Sequence, residues 1–332
     1  LGFAVASALI GAAAGAFTGG RIADRIGRLK VMQIAAVLFF ISAIGCGLAP
    51  NLTLFVIFRI VGGVAVGIAS VIAPAYIAEI SPPHIRGRLG SLQQLAIVSG
   101  IFVSLLIDYL LANAAGGSSN VLWFGLEAWR WMFIMMFIPS IAYGVLSLTI
   151  PESPRFLVAQ GNTAAAQRIL AKVLGVGANE TLEQIQASLK REHKPSLADL
   201  KSPKGGWYPI VWVGVGLAVF QQFVGINVIF YYSNILWEAV GFDESSSFVI
   251  TVLTSITNIV TTLIAIAAVD RAGRRPLLII GSIGMAVALG AMSLIFGSPA
   301  GLSGVLVSDA IQFSLAMIGV TGAAYFALAR PE

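Results

Sequence analysis

Nine times along its 332 residues this chain runs through a stretch of about 20 residues that is almost free of charge. The stretches are 2–20, 31–49, 52–80, 91–112, 130–150, 208–237, 247–268, 277–297 and 303–329. A hydrocarbon layer roughly 30 Å thick takes about 20 apolar residues in a helix. Inside it, every backbone polar group must bond within its own segment, which favours helices. The chain is therefore expected to be an all-α membrane protein. Composition agrees: 58% of residues are hydrophobic and 11% charged, where a soluble chain carries about 25% charged residues.

Several classes fall away at once. Cys46 is the single cysteine, so no internal disulfide can form, and with two histidines no metal site is expected. No cofactor is implied, and no nucleophile–base set or phosphate loop points to an enzyme. No signal peptide is visible. The chain opens at Leu1 inside an apolar stretch and stops at Glu332 directly after another, so both ends are expected to be truncations.

The loops alternate in charge. One set holds 17 of the 20 basic residues; only Arg59, Arg130 and Arg330 fall elsewhere. The other set holds Glu127, Glu238, Asp243 and Glu244 and little else that is charged. By the positive-inside rule the basic loops face the cytoplasm. The net charge of +5 then reports topology, and its spread over four loops argues against nucleic acid as a partner. The long polar stretch 151–206 mixes apolar and polar residues at helical spacing over 164–174 and 182–189, which predicts short amphipathic helices. The expected organisation is an N-terminal half over 1–150, a cytoplasmic linker over 151–206 and a C-terminal half over 207–332.

Two loops repeat one string. Asp24-Arg25-Ile26-Gly27-Arg28 follows the first span and Asp270-Arg271-Ala272-Gly273-Arg274-Arg275 follows the seventh. The repeat points to two related halves. Carboxylates and arginines at helix ends can pair. With Glu79, Arg86 and Arg88 at another basic loop, they form a candidate gating set that latches one side of the protein and breaks as the halves rock.

Polar residues recur at membrane depth, where they are costly without partners. Gln94 lies near the start of the fourth span, with Ile97, Val98 and Ile101 at helical spacing from it. Gln221, Gln222, Asn227, Tyr231 and Tyr232 lie in the sixth span and Asn258 in the seventh. Amides and phenols both donate and accept hydrogen bonds and carry no charge at neutral pH, which suits a neutral polyol. With each net bond worth about 0.5–1.5 kcal/mol, a handful gives millimolar to micromolar affinity, about −4 to −8 kcal/mol. On a straight helix Gln222 and Asn227 stand about 140° apart, and Gly225 between them allows the break that would bring both to one site.

Taken together, several strings carry a resemblance. They are Gly19–Arg28, Arg59-Ile-Val-Gly-Gly63, Pro74-Ala-Tyr-Ile-Ala-Glu79, Arg86-Gly-Arg88, Pro151-Glu152-Ser-Pro-Arg155-Phe-Leu157, Gln221-Gln-Phe-Val-Gly-Ile-Asn227 and Asp270–Arg275. The chain resembles the sugar porter branch of the major facilitator superfamily. The resemblance implies two pseudo-symmetric helical halves with twelve helices in all, of which the nine visible would be the second to the tenth. It implies transport of a hexose or pentose by alternating access, with proton symport favoured over uniport. It assigns sugar contacts to Gln94, Gln221, Gln222, Asn227 and Asn258, with Ile97, Ile101, Phe230 and Tyr231 lining the same cavity. It assigns gating to the arginine-rich strings together with Glu152 and Arg155, and proton coupling to Arg59. Residues 319–332 depart from the pattern: no tryptophan appears in the tenth-helix stretch. Asp108 and Asp309, near outer span ends, are expected to be solvated.

The implied partners are a small sugar, a proton and the lipid bilayer; the implied location is a bacterial inner (plasma) membrane, multi-pass. Two other readings stand beside this one. A carrier for an organic ion would need a charged residue facing the cavity, and a transporter-like sugar sensor would need long signalling tails.

Overall fold

In this computed structural model the described residues are 2–82, 86–175, 177–191, 200, 206–223, 233, 237–238, 241–272, 276, 279–284 and 286–287. Among them the chain is helical, without a strand, and one isolated bridge joins Val121 and Glu127. Eleven helices are used below. They are α1 (Gly2–Ile26), α2 (Arg28–Leu48), α3 (Leu52–Ile80), α4 (Arg86–Ala115), α5 (Ala128–Ile134), α6 (Phe137–Thr149), α7 (Pro154–Ala159), α8 (Thr163–Leu174), α9 (Ala178–Arg191), α10 (Pro209–Phe223) and α11 (Glu244–Ala272). By length and composition α2, α3, Leu89–Ala115, Ala128–Thr149 and Glu244–Ala268 can each cross a membrane. The contacts divide the chain into two compact units. One is Leu1–Gly90 with Ala114–His193; the other is Ser91–Asn113 with Lys194–Glu332.

The first unit shows why these residues pack as they do. Helices α1 and α3 touch backbone to backbone. A methyl group at Gly11 or Gly15 would run into the carbonyl oxygens of Ile60 or Val64, and one at Gly63 or Gly67 into those of Ala8 or Ala12. With no hydrophobic drive between helices in lipid, close van der Waals contact through small residues is what holds them. Gly62, Gly63 and Gly67 of α3 all sit at such contacts, Gly62 against the Ser42 hydroxyl. Below this seam Ala23, Val31, Met32, Ala35, Ile68, Ile72 and Tyr76 form a buried core where α1, α2 and α3 meet.

Two boundaries differ from expectation. The first span does not end near residue 20: α1 runs on to Ile26 and turns into α2 at Gly27 alone, which has φ +101. The repeat string is therefore mostly helix, and its glycine is the whole loop. The fifth span is broken into α5 and α6, and the amides of Met136 and Ile138 bond three residues back instead of four. Pro139 lacks an N–H and its ring displaces the carbonyl four residues earlier, which accounts for the break.

The segment after α6 folds into α7, α8 and α9. Ser153 caps α7, with Pro154 at its first position, and Asn162 caps α8 by accepting from the Ala165 amide at 3.2 Å. Ala166 and Leu170 are the buried positions of α8. The ninth span lies outside the described residues, as does most of the eighth.

Candidate functional site

The Asp-Arg-x-Gly-Arg string acquires its geometry from the one-residue junction. Gly27 places Arg28 at the first position of α2 and leaves the first amides of that helix pointing outward, without intrahelical partners. The Glu152 carboxylate accepts from the Arg28 amide at 3.1 Å and the Leu29 amide at 3.3 Å. A side chain at position 27 would push that carboxylate aside, and φ +101 there favours glycine. A negative group at a helix N-terminus is stabilised by the macrodipole.

The Arg28 guanidinium turns the other way. Its Nε and Nη2 donate to the two oxygens of Glu79 on α3 at 3.1 and 2.9 Å. Its Nη1 donates to the Ala23 carbonyl at 3.1 Å and pairs with Asp24 at 3.0 Å. The Arg28 and Glu79 side chains are 12% and 14% exposed, whereas Asp24 is 70% exposed. The forked pair is thus nearly closed from solvent, which strengthens it and makes each partner costly to remove.

The Pro-Glu-Ser-Pro-Arg string enters the same cluster residue by residue. The Pro151 carbonyl accepts from the Tyr76 hydroxyl at 2.7 Å. The fully buried Ser153 hydroxyl donates to Glu79 and also caps α7 through the Phe156 amide. Arg155 reaches Ser188 on α9 at 3.3 Å. Asp24, Arg28, Glu79 and Glu152 of the candidate gating set are therefore in one constellation, all inside the first unit. Arg25 is exposed beside it. Arg86 and Arg88 stand on the first turn of α4, and Asp270 and Arg271 on the last turn of α11, each described by its backbone only. Arg274 and Arg275 lie outside the described residues.

Within α3 the Arg59 guanidinium stands 5.6 Å from the centre of the Phe133 ring. At the far end of α2, Arg130 donates to the carbonyls of Gly47 and Ala49 at 3.1 and 2.9 Å and pairs with Glu127 at 3.3 Å. Sequence reasoning left Arg130 without a role. Its partners are carbonyls more than 80 positions away, and no sequence pattern reports those.

In the second unit Gln94 is half-buried on α4. A stripe at alternating spacings of four and three joins it to Val98, Ile101, Leu105, Asp108 and Ala112. Val98 is 1% exposed and Ile97 49%, so Ile97 turns away from the side that Val98 buries. Asp108, expected to be solvated, is half-buried, because it lies two turns inside the end of α4. Asn258 is 2% exposed on α11, and its side-chain oxygen accepts from Thr262 at 3.5 Å. It belongs to a buried polar stripe with Ser247, Thr251, Ser255 and Thr262, each no more than 2% exposed. Thr251 also bonds Ser233 at 2.7 Å. The stripe was visible as a 4-4-3-4 spacing. Hydroxyls in apolar helices usually bond their own backbone, as Thr251 does to Ser247 at 2.8 Å, so the spacing alone did not mark it out. Gln221 and Gln222 stand on the last turn of α10, described by backbone only. Asn227, Phe230, Tyr231 and Asp309 lie outside the described residues. Trp237 is buried edge-on against Phe242, with ring centres 5.8 Å apart.

Comparison with known proteins places these features. The family described as "Sugar (and other) transporter" matches residues 1–328. The glucose transport protein of Synechocystis sp. is 57% identical over 304 residues, covering 91% of this chain and 65% of that protein. The D-xylose-proton symporter of Escherichia coli K12 is 38% identical over 315 residues, covering 89% of this chain and 62% of that protein. The chain thus spans a little under two thirds of the length of these curated relatives. Among solved structures, a partially occluded inward-open form of the E. coli xylose transporter XylE superposes with a TM-score of 0.85 at 34% identity, covering 98% of this chain and 75% of that one. A structure of the same major facilitator superfamily symporter bound to 6-bromo-6-deoxy-D-glucose gives 0.84 at 35% identity, covering 98% and 70%. With the glycine seam, the arginine junction and the family match running nearly end to end, the chain belongs to the sugar (and other) transporter family and is an integral membrane protein of the major facilitator fold.

Proposed function

We propose that the protein carries a monosaccharide across the membrane by alternating access, coupled to protons. The observation that carries the reading is the 57% identity to a glucose transport protein over 91% of the chain. A D-xylose-proton symporter at 38% identity supports the coupling. The chemistry of the polar side chains agrees. Gln94 and Asn258 are neutral amides on apolar helices, and in this proposal they join Gln221, Gln222 and Asn227 around the sugar, with Ile97, Ile101, Phe230 and Tyr231 as the apolar wall.

In the same proposal, residues 1–150 and 207–332 are the two halves and 151–206 is the linker. The basic loops face the cytoplasm of a bacterial cell. Arg59 takes part in proton coupling. The arginine-rich set reorganises during the cycle, with the exposed Asp24 and with Arg25, Arg86, Arg88, Arg155, Asp270, Arg271, Arg274 and Arg275 as the members that meet and part. Arg28, Glu79 and Glu152, being closed within one unit, hold that unit together as it moves.

The test is uptake of radiolabelled glucose and xylose into cells making the protein, with and without a protonophore. Saturable uptake that collapses with the proton gradient is expected. Uptake that ignores the gradient would leave a uniporter, and no sugar uptake would remove the reading. Gln222→Ala is expected to abolish or sharply weaken uptake while leaving the protein in the membrane. Undiminished uptake would take Gln222 out of the site.

A further inference from the structure

The segment between α4 and α5 ends in an exposed aromatic tip. The Leu126 amide donates to the Trp123 carbonyl at 3.0 Å and the Leu122 amide to the Leu126 carbonyl at 2.9 Å. Phe124 and Gly125 at the turn have φ +53 and +75. Two positive values in a two-residue turn give the tight mirror-image hairpin. Glycine accepts that conformation readily, but a bulky L-residue does so at a cost. Phe124 is the only described non-glycine residue with positive φ, and it is 93% exposed. Val121 and Trp123 beside it are 62% and 48% exposed. The tip is braced from α5, where the Trp131 indole N–H donates to the Trp123 carbonyl at 3.2 Å. The Trp131 ring lies 5.5 Å from that of Trp123 and 6.0 Å from that of Phe124.

What would such a tip touch? A sugar needs open donors and acceptors as well as rings. Here the Asn120 amide nitrogen is engaged by the carbonyls of Ala115 and Gly116, and the Glu127 carboxylate by Trp129 and Arg130. Between Asp108 and Glu127 the sequence has no charged residue. The hairpin also joins two segments, Leu89–Ala115 and Ala128–Thr149, that are long and apolar enough to span a membrane. It therefore stands at the level of the bilayer surface, the layer where tryptophan and other amphipathic rings collect. We propose that the hairpin tip, Val121 with Trp123 and Phe124, inserts into the interfacial layer of the bilayer and fixes the depth of the two span ends that it connects.

The single cysteine makes the test direct. In a Cys46→Ala background, Phe124→Cys carries an environment-sensitive fluorophore, and Gln160→Cys, exposed at the end of α7, serves as the aqueous reference. The protein is placed in phosphatidylcholine vesicles containing lipids with a nitroxide near the top of the acyl chain. The expected result is blue-shifted emission at position 124 and quenching several-fold stronger than at position 160. A second arm needs no label: Trp123→Leu should remove part of the tryptophan emission that brominated lipids quench. The proposal is overturned if the label at 124 emits as in water and is quenched by aqueous iodide as readily as at 160. It is equally overturned if quenching follows protein density, which would make the partner a second copy. A response to added sugar without any lipid quenching would also overturn it.

Discussion

Helix α2 meets a carboxylate at its first turn and a guanidinium at its last. Glu152 takes the Arg28 and Leu29 amides, and Arg130 gives to the Gly47 and Ala49 carbonyls. Both match the sign of the helix dipole, but the two ends are built differently. At the first end the cap is backed by Arg28 and Glu79, a forked pair at 12% and 14% exposure, and by Ser153, which brings in the chain from more than 70 positions away. At the last end Arg130 is backed by Glu127 three residues before it, at 22% and 42% exposure. Both ends tie distant segments together; at the first the charges are nearly closed from solvent, at the last they are partly open to it. Charge burial, more than charge number, should decide how much each end contributes.

That difference can be broken in order of size. The largest loss is expected from Glu79→Ala, which leaves the nearly closed Arg28 guanidinium with only the exposed Asp24 as counter-charge and the Ser153 hydroxyl without its acceptor. Removing one member of such a pair costs about 3–5 kcal/mol, read as a lower unfolding midpoint of the purified protein in detergent or nanodiscs. A double change with Arg28→Met should recover part of it, because the cost lies in the stranded charge. Arg130→Gln comes next. It removes a dipole-matched donor from a partly open site, for a loss of about 1 kcal/mol that shrinks in high salt. Asp24→Asn should be the smallest, below about 0.5 kcal/mol, since Asp24 is 70% exposed and Arg28 keeps Glu79. If Arg130→Gln and Glu79→Ala cost the same, burial is not what separates the two ends.

How far the sequence alone could see differs from residue to residue. The apolar stretches announced the membrane spans because lipid imposes one strict condition on every residue of a segment. The break at Met135–Met136 was signalled by Pro139, which a count of apolar residues passes over. Glu152 and Ser153 were recognisable as members of a motif. That one caps α2 while the other bonds Glu79 was not legible, since the partners lie 124 and 74 positions away. On α11 Asn258 stood out as an amide, but Ser247, Thr251, Ser255 and Thr262 did not, because a hydroxyl that bonds its own helix leaves no trace in the pattern.

What this sequence determined by itself is its environment and its local structure: helices long enough for a bilayer, a glycine where the chain must turn within one residue, caps at the starts of α7 and α8. These follow from short-range conditions on backbone and solvent that each segment meets alone. Only the tertiary structure decided which carboxylate faces which guanidinium, which of them is shut away from water and which ring is left outside. Those outcomes depend on helices brought together from far along the chain, and a charge has no set energetic weight until its surroundings are assembled around it.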